Sequence, residues 1–270
     1  MRYPFLSDSH THSKYSEDGA DSVMMLCKSA LDQGLYAITV TDHCECNTYW
    51  EQHFHESVCQ SWSETRRAAV SFQNNIHIFT GVELGQPMQD KSGANDILNA
   101  CSFDFVLGSL HNVKDERDFY DFDYQHRDVR PVLSKYFEEL LEMIRWGKFD
   151  SLAHLTYPWR YFEEYGIGIP IEDYQNQIDH VLKELIRQKK SLEVNTSGLR
   201  QKMGTTMPNE KILRRYQSLG GSMITVGSDA HRWADVGSGI EETLSMMRRI
   251  GFSHFTIYEK RAPVQVLISE

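Results

Sequence analysis

A chain of 270 residues, 40% of them hydrophobic, suits one large α/β domain or two small ones and can bury a full core. The formal net charge of −10 excludes duplex nucleic acid as a bulk partner, since like-charged surfaces repel, but leaves room for a small phosphorylated ligand at a locally cationic site. No run is apolar enough to cross a bilayer, MRYPFLSDSH has no signal-peptide core, and five cysteines are too few and odd in number for a disulfide framework, so a cytoplasmic protein with no membrane partner is expected.

In chain order, one unit recurs: a short apolar run, a polar turn, an amphipathic stretch. YPFLSDS leads into His10 and His12. ADSVMMLCKSALDQG follows as a helical pattern that opens after Gly19 and stops at Gly34. LYAITVTD ends in Asp42 and His43; beyond it Cys44 and Cys46 form a C-x-C, a soft-metal motif that lacks a second thiol pair in sequence. IHIFTGVE ends in Glu83, and FDFVLGSL runs up to His111. Residues 111–130 form a long polar loop, a class usually functional or disordered. RPVLSKYFEELLEMIRWG reads as a helix with Pro131 in its first turn and Gly147 at its end. FDSLAHL carries His154, and IEDYQNQIDHVLKELIRQKK is a helix closing on a basic cluster. KSLEVNTS contains Asn195, Thr196 and Ser197, and NEKILRRYQSLGG is helical. SMITVGSD ends in Asp229, with His231 two residues on; GIEETLSMMRRIG is the last helix and FSHFTIYE an eighth apolar run. The runs are rich in β-branched and aromatic residues, as buried parallel strands are. Seven or eight β and α units in alternation over this length predict an α/β barrel, whose chemistry sits on the loops after the strands.

Six of the first seven runs end in an imidazole or a carboxylate. A closed barrel brings all strand ends onto one rim, and such a crowd of buried polar groups without a cation is costly. The pattern therefore points to metal. Residues two apart on a strand share a face, so His10 and His12 grip one ion together, with Asp8 of the same parity expected to orient a ligand histidine. Asp18 lies where a loop can return its carboxylate to the cluster. At least five histidines and three carboxylates exceed what one zinc takes, so two or three ions are expected, with Glu83 as a bridge. Mixed nitrogen and oxygen donors suit Zn, Fe or Mn. His53, His55, His77, His126, His180 and His254 fall in helical, loop or strand-start positions and read as ordinary solvated or packed residues.

The segments DSHTHSKYSEDG, VTDH, GVELG, GSLH, LAHL and VGSDAH together resemble the PHP (polymerase and histidinol phosphatase) family, in family order from residue 8 to residue 231. Within it, AHLTYPWRY and NTSGLR look most like the PHP-type histidinol-phosphatases. The resemblance implies a single-domain, distorted TIM-like (β/α)7 barrel over residues 1–270 with three divalent metal ions, zinc with Fe or Mn as alternatives. It implies hydrolysis of L-histidinol phosphate to L-histidinol and phosphate in L-histidine biosynthesis, by a hydroxide shared between metals. Carried over, the ligand sets are His10, His12, Glu83 and Asp229; Glu83, His111 and His154; and Asp18, His43 and His231. Asp18 stands where many members have histidine. Arg160 and Arg200 are the candidates for phosphate contact, Asp229 and His231 for protonation of the leaving alkoxide, and DERDFYDFDY for the ammonium and ring of the substrate. The alternative is a PHP-type phosphoesterase acting on another small phosphate monoester or a nucleotide. A metal-dependent amide or lactone hydrolase is disfavoured by the lack of a strand-end lysine. Oligomeric state is open.

Overall fold

The computed structural model describes residues 3–269. The first half contains β1 (Ser7–Thr11), α1 (Val23–Asp32), β2 (Ala37–Val40), β3 (His43–Glu45), α2 (Phe54–Ser71), β4 (His77–Gly85), α3 (Lys91–Ala100), β5 (Phe105–Ser109) and α4 (Arg130–Trp146). The second contains β6 (Ser151–Leu152), α5 (Tyr157–Tyr165), α6 (Gln175–Gln188), β7 (Ser191–Asn195), α7 (Glu210–Ser218), β8 (Ile224–Gly227), α8 (Ile240–Ile250), β9 (His254–Glu259) and β10 (Ala262–Leu267).

The parallel sheet runs β1-β2-β4-β5-β6-β7-β8, with β3 also on β4. β2 and β3 are two halves of one strand broken at Thr41 and Asp42: β2 pairs with residues 77–80 of β4 and β3 with residues 83–85. The ring is drawn together beyond β8, where Asp229 N–H donates to His10 O and His12 N–H to Ala230 O, each at 2.8 Å. The expected seven-stranded barrel is thus the observed fold, nearly closed and with its rim stitched at the residues that matter.

Local chemistry explains the helices. Ser22 accepts from Met25 N–H to cap α1, Asp90 accepts from Ser92 and Gly93 N–H to cap α3, and Asn209 accepts from Ile212 N–H to cap α7. α4 begins at the predicted Pro131 and ends on Gly147 in the left-handed region, φ 72°. Its buried residues, Val132, Leu133, Tyr136, Phe137, Leu140, Met143 and Ile144, recur at helical spacing and form the stripe that packs on the barrel. α2 and α3 were not anticipated from the sequence.

The eighth run departs from expectation. β9 is no barrel stave: it pairs antiparallel with β10 in a separate hairpin. The two-residue turn, Lys260 and Arg261, has φ values of 50° and 66°, the left-handed pair of a type I′ turn. Lys260 N–H donates to Asp104 Oδ1 and Arg261 N–H to Asp104 O, and the Arg261 guanidinium pairs with Asp150. Asp104 and Asp150 precede β5 and β6, so the hairpin sits at the N-terminal end of the strands. There Tyr258 stacks on Phe105 with ring centroids 5.2 Å apart and bonds Ser191 Oγ at 2.9 Å. Phe105, Leu107, Ala153 and Tyr258 make a small apolar cluster that fills this end.

Candidate metal centre

The opposite rim collects the strand ends. His10 and His12 belong to β1 and its continuation; their Nε2 atoms lie 2.9 Å apart. Glu83, fully buried near the C-terminal end of β4, is the hub. Its Oε1 faces His111 Nε2 at 3.1 Å and His154 Nε2 at 2.9 Å. Its Oε2 faces His43 Nδ1 at 3.0 Å, His10 Nε2 at 3.2 Å and His12 Nε2 at 3.3 Å. One carboxylate therefore divides the imidazoles into two groups. Asp229 Oδ1 lies 3.6 Å from His10 Nε2, 3.4 Å from His12 Nε2 and 3.6 Å from His231 Nδ1. Asp18 reaches back from its loop, Oδ2 to His231 Nε2 at 3.0 Å and Oδ1 to His43 Nε2 at 3.7 Å. All nine predicted ligand positions are brought together on this rim.

Two of these residues, His154 and Asp229, hold left-handed φ values of 21° and 56°. Such backbone costs on the order of 1–3 kcal/mol for a non-glycine residue and tends to persist at functional sites. Gly227 serves close approach: a Cβ there would collide with the His10 Cβ and the Glu193 carboxylate.

Residues overlooked in the sequence hold the ring orientations. Glu193 Oε1 accepts from His10 Nδ1 at 2.6 Å, and its Oε2 accepts from His154 N–H at 2.8 Å. Glu45 Oε1 lies 3.0 Å from His111 Nδ1. Each turns the Nε2 of its histidine toward Glu83. The available signal was parity: Glu193, between Leu192 and Val194, shares the face of Asn195, and Glu45 that of His43. Asp8 does not orient an imidazole. It accepts from Ser228 N–H and Oγ–H, Gly237 N–H and the His10 backbone N–H, because its carboxylate points into the turn after β8. Asp42 accepts from Ser13 N–H, Ser13 Oγ, Ser16 Oγ and Ser61 Oγ; Ser16 in turn contacts His12 Nδ1 at 3.1 Å.

The electrostatics follow from packing acids and bases out of water. Burial opposes the charge on Glu83, but His10, His111 and His43 outweigh it and hold its pKa well below the usual range. Burial likewise opposes charge on His10, yet Glu193, Glu83 and Asp229 push its pKa well above normal. Burial and the neighbouring His43 and His231 lower the pKa of His12. Apart from His12, cations and anions here hold each other in the charged state.

The donor set fits divalent metal. Three clusters have ligand atoms mutually close enough to share an ion: His12, His43 and His231; His10, His12 and Glu83; and His43, Glu83 and His111. Buried nitrogens His43 Nδ1, His154 Nδ1 and His231 Nε2 have no hydrogen-bond partner, although the first and last lie 3.0 Å from a carboxylate oxygen. Nitrogens this near to acids yet misdirected for hydrogen bonding are what a shared cation requires. Among the described residues these clusters contain no cysteine, so the C-x-C takes no part.

Arg160, near the start of α5, lies with its guanidinium 5.4 Å from the Tyr161 ring centroid. Burial works against its charge, but Tyr161, Asp229 and Tyr157 raise its pKa further. Among the described residues it forms no ion pair at contact distance. Arg200 is differently placed: it donates to Ser228 O at 2.8 Å and Asp229 O at 3.4 Å, and Nε lies 3.6 Å from Asp235. It clamps the turn carrying Asp229 instead of facing the cluster. In the polar loop, Asp118 accepts from Tyr157 Oη at 3.1 Å, Tyr157 bonds Tyr161 at 2.9 Å, and the exposed Tyr120 packs edge-on to Tyr161. The Tyr157 ring stands 5.1 Å from His111 and 5.0 Å from His154.

The PHP domain family profile matches residues 8–197 of this chain. The chain belongs to the PHP domain family. It is 29% identical over 261 residues to a probable histidinol-phosphatase of Clostridium acetobutylicum, covering 94% of this chain and 97% of that one. It is 24% identical over 253 residues to the histidinol-phosphatase of Lactococcus lactis, covering 93% of this PHP chain and 93% of that one. The crystal structure of histidinol phosphate phosphatase from Lactococcus lactis, complexed with zinc, L-histidinol and phosphate, superposes with a TM-score of 0.76 at 22% identity, covering 96% of this chain and 98% of that one. The PHP barrel is thus matched along nearly its whole length. No helix among the described residues is long and apolar enough to cross a membrane.

Proposed function

We propose that this PHP protein is a metal-dependent phosphoric monoester hydrolase that converts L-histidinol phosphate to L-histidinol and phosphate, with residues 1–270 acting as one domain. The observation that carries the reading is Glu83, whose two oxygens face separate groups of imidazoles, with the half-buried Arg160 near enough to Asp229 for the carboxylate to raise its pKa. The full-length similarity to proteins named histidinol-phosphatase supports the choice of substrate.

His10, His12, Glu83 and Asp229 would hold one divalent ion, Glu83, His111 and His154 a second, and Asp18, His43 and His231 a third, with zinc, iron or manganese suited to these donors. Such ions supply Lewis acidity, positive charge against the phosphate and an acidified water. The chain's own residues do the rest. Arg160 binds non-bridging phosphate oxygens and offsets the charge that grows on them. Asp229 O lies 3.0 Å from His231 Nδ1 and accepts a hydrogen bond from its N–H, leaving Nε2 free to face the cluster. Asp229 and His231 orient a water that passes a proton to the departing alkoxide. Arg200 keeps the Asp229 turn in place. Asp118 pairs the substrate ammonium, while Tyr120 and Tyr161 offer faces to its ring.

The test is steady-state kinetics with L-histidinol phosphate against a panel of phosphate esters, beside elemental analysis of the same preparation. Preference for L-histidinol phosphate, abolished by chelator and restored by Zn or Mn, is expected. Full turnover by metal-free protein, or a higher kcat/KM on a nucleotide or another monoester, would overturn the assignment.

A further inference from the structure

Away from the metal centre, Cys59 and Cys101 bring their Sγ atoms to 3.2 Å. Cys59 is half-buried on α2, and Cys101 is buried at the end of α3. Their meeting is built in from both sides. Trp62, one helical turn after Cys59, donates Nε1–H to Ser102 O at 3.1 Å and so fixes the residue next to Cys101. Cys101 N–H in turn donates to Ile97 O at 3.3 Å, anchoring the thiol to its helix. No cluster among the described residues that could hold a metal includes a cysteine, so the pair is not a thiolate ligand set.

We propose that Cys59 and Cys101 form an oxidisable dithiol, a modification site in which hydroperoxide converts the two thiols to a disulfide joining α2 to the end of α3. The contact must shorten only to about 2.05 Å, a change of side-chain scale. The half-exposed Cys59 is the one that peroxide reaches. Its thiolate sulfur attacks a peroxide oxygen, the O–O bond breaks, and Cys59 becomes a sulfenic acid with hydroxide released. The Cys101 sulfur then bonds to the Cys59 sulfur, and the S–O bond breaks. Its proton leaves with the departing hydroxyl as water, so two thiols are oxidised and one peroxide is reduced to two waters. Burial pushes the Cys101 thiol up to about 12, which keeps it protonated and reserves it for this second step.

The experiment treats the metal-loaded protein with hydrogen peroxide and maps its peptides without reduction. The expected product is a Cys59–Cys101 cross-linked peptide, reversed by dithiothreitol, accompanied by a rise in Tm on the order of 5 °C. In Cys101→Ser, Cys59 should run on to the sulfinic acid; in Cys59→Ala, Cys101 should stay unmodified. Trp62→Phe should slow cross-linking several-fold while leaving basal phosphatase activity unchanged. Cys59 going to sulfinic acid in the unaltered protein, a disulfide to any other cysteine, or both thiols surviving excess peroxide would each overturn the proposal and leave the pair as small packing residues.

Discussion

Glu193 shows how a single buried carboxylate shapes a site it does not itself occupy. Its two oxygens hold His10 Nδ1 and the His154 amide, and so serve both groups of imidazoles divided by Glu83. Glu193→Gln should preserve volume but weaken the charge that keeps Nδ1 protonated and Nε2 basic. Metal affinity is expected to fall roughly 10–100-fold, read by competition titration and elemental analysis. Unchanged affinity would assign Glu193 to packing alone. Arg160→Ala should lower kcat/KM for the phosphate ester by about 10²–10³ without changing metal content. Arg200→Ala should act differently, loosening the Asp229 turn and reducing Tm, since its donors are committed to the Ser228 and Asp229 carbonyls.

At the scale of elements, most of the barrel could be read from residue order. Seven apolar runs, six of them ending in His, Asp or Glu, named both the staves and the rim, because a strand's period of two and a helix's caps leave direct marks. What could not be read depended on contacts distant in sequence. α2 has an N-cap position at His53 with no side-chain cap and a largely polar surface, so its start carries no signal. The hairpin was missed because Lys260 and Arg261 are not turn formers; the turn is held by Asp104 and Asp150, more than 100 residues away. Glu193 and Glu45 were hidden because a charged residue in a strand gives no sign of which imidazole it meets. The hairpin reading predicts that Lys260→Asn, which tolerates left-handed φ, raises Tm by roughly 1–3 °C; a fall would mean that the lysine side chain itself stabilises the turn. Between α6 and α7, Asp179 is held to about 2 by its hydrogen bonds with Arg215, despite some opposing burial. A depressed carboxylate adds stability above its unfolded pKa, and that stability is lost as pH falls through the folded value. Between pH ~4 and ~2, Asp179→Asn should therefore flatten the acid limb of the stability curve, by about 1 kcal/mol or less given the partly exposed arginine.

For the molecule as a whole, the rim gathers buried acids and imidazoles, and its order depends on what neutralises them. Divalent ions bind the folded state alone, so chelation should lower Tm and metal at about 100 times its Kd should return about 3 kcal/mol, roughly 5–10 °C. A Tm indifferent to chelator would mean that protonated histidines balance the acids well enough unaided.

The β9–β10 hairpin corks the far end of the barrel with Tyr258, Phe105 and the Arg261–Asp150 pair. What remains is a vessel with one mouth. Whatever enters must leave by the same opening, and of two fragments made inside, the one seated deeper has to wait for the other. Inorganic phosphate, nearest the imidazoles, should therefore depart last and inhibit competitively, while the alcohol should inhibit noncompetitively; reversal of those two patterns in product-inhibition plots would mean that a second exit exists.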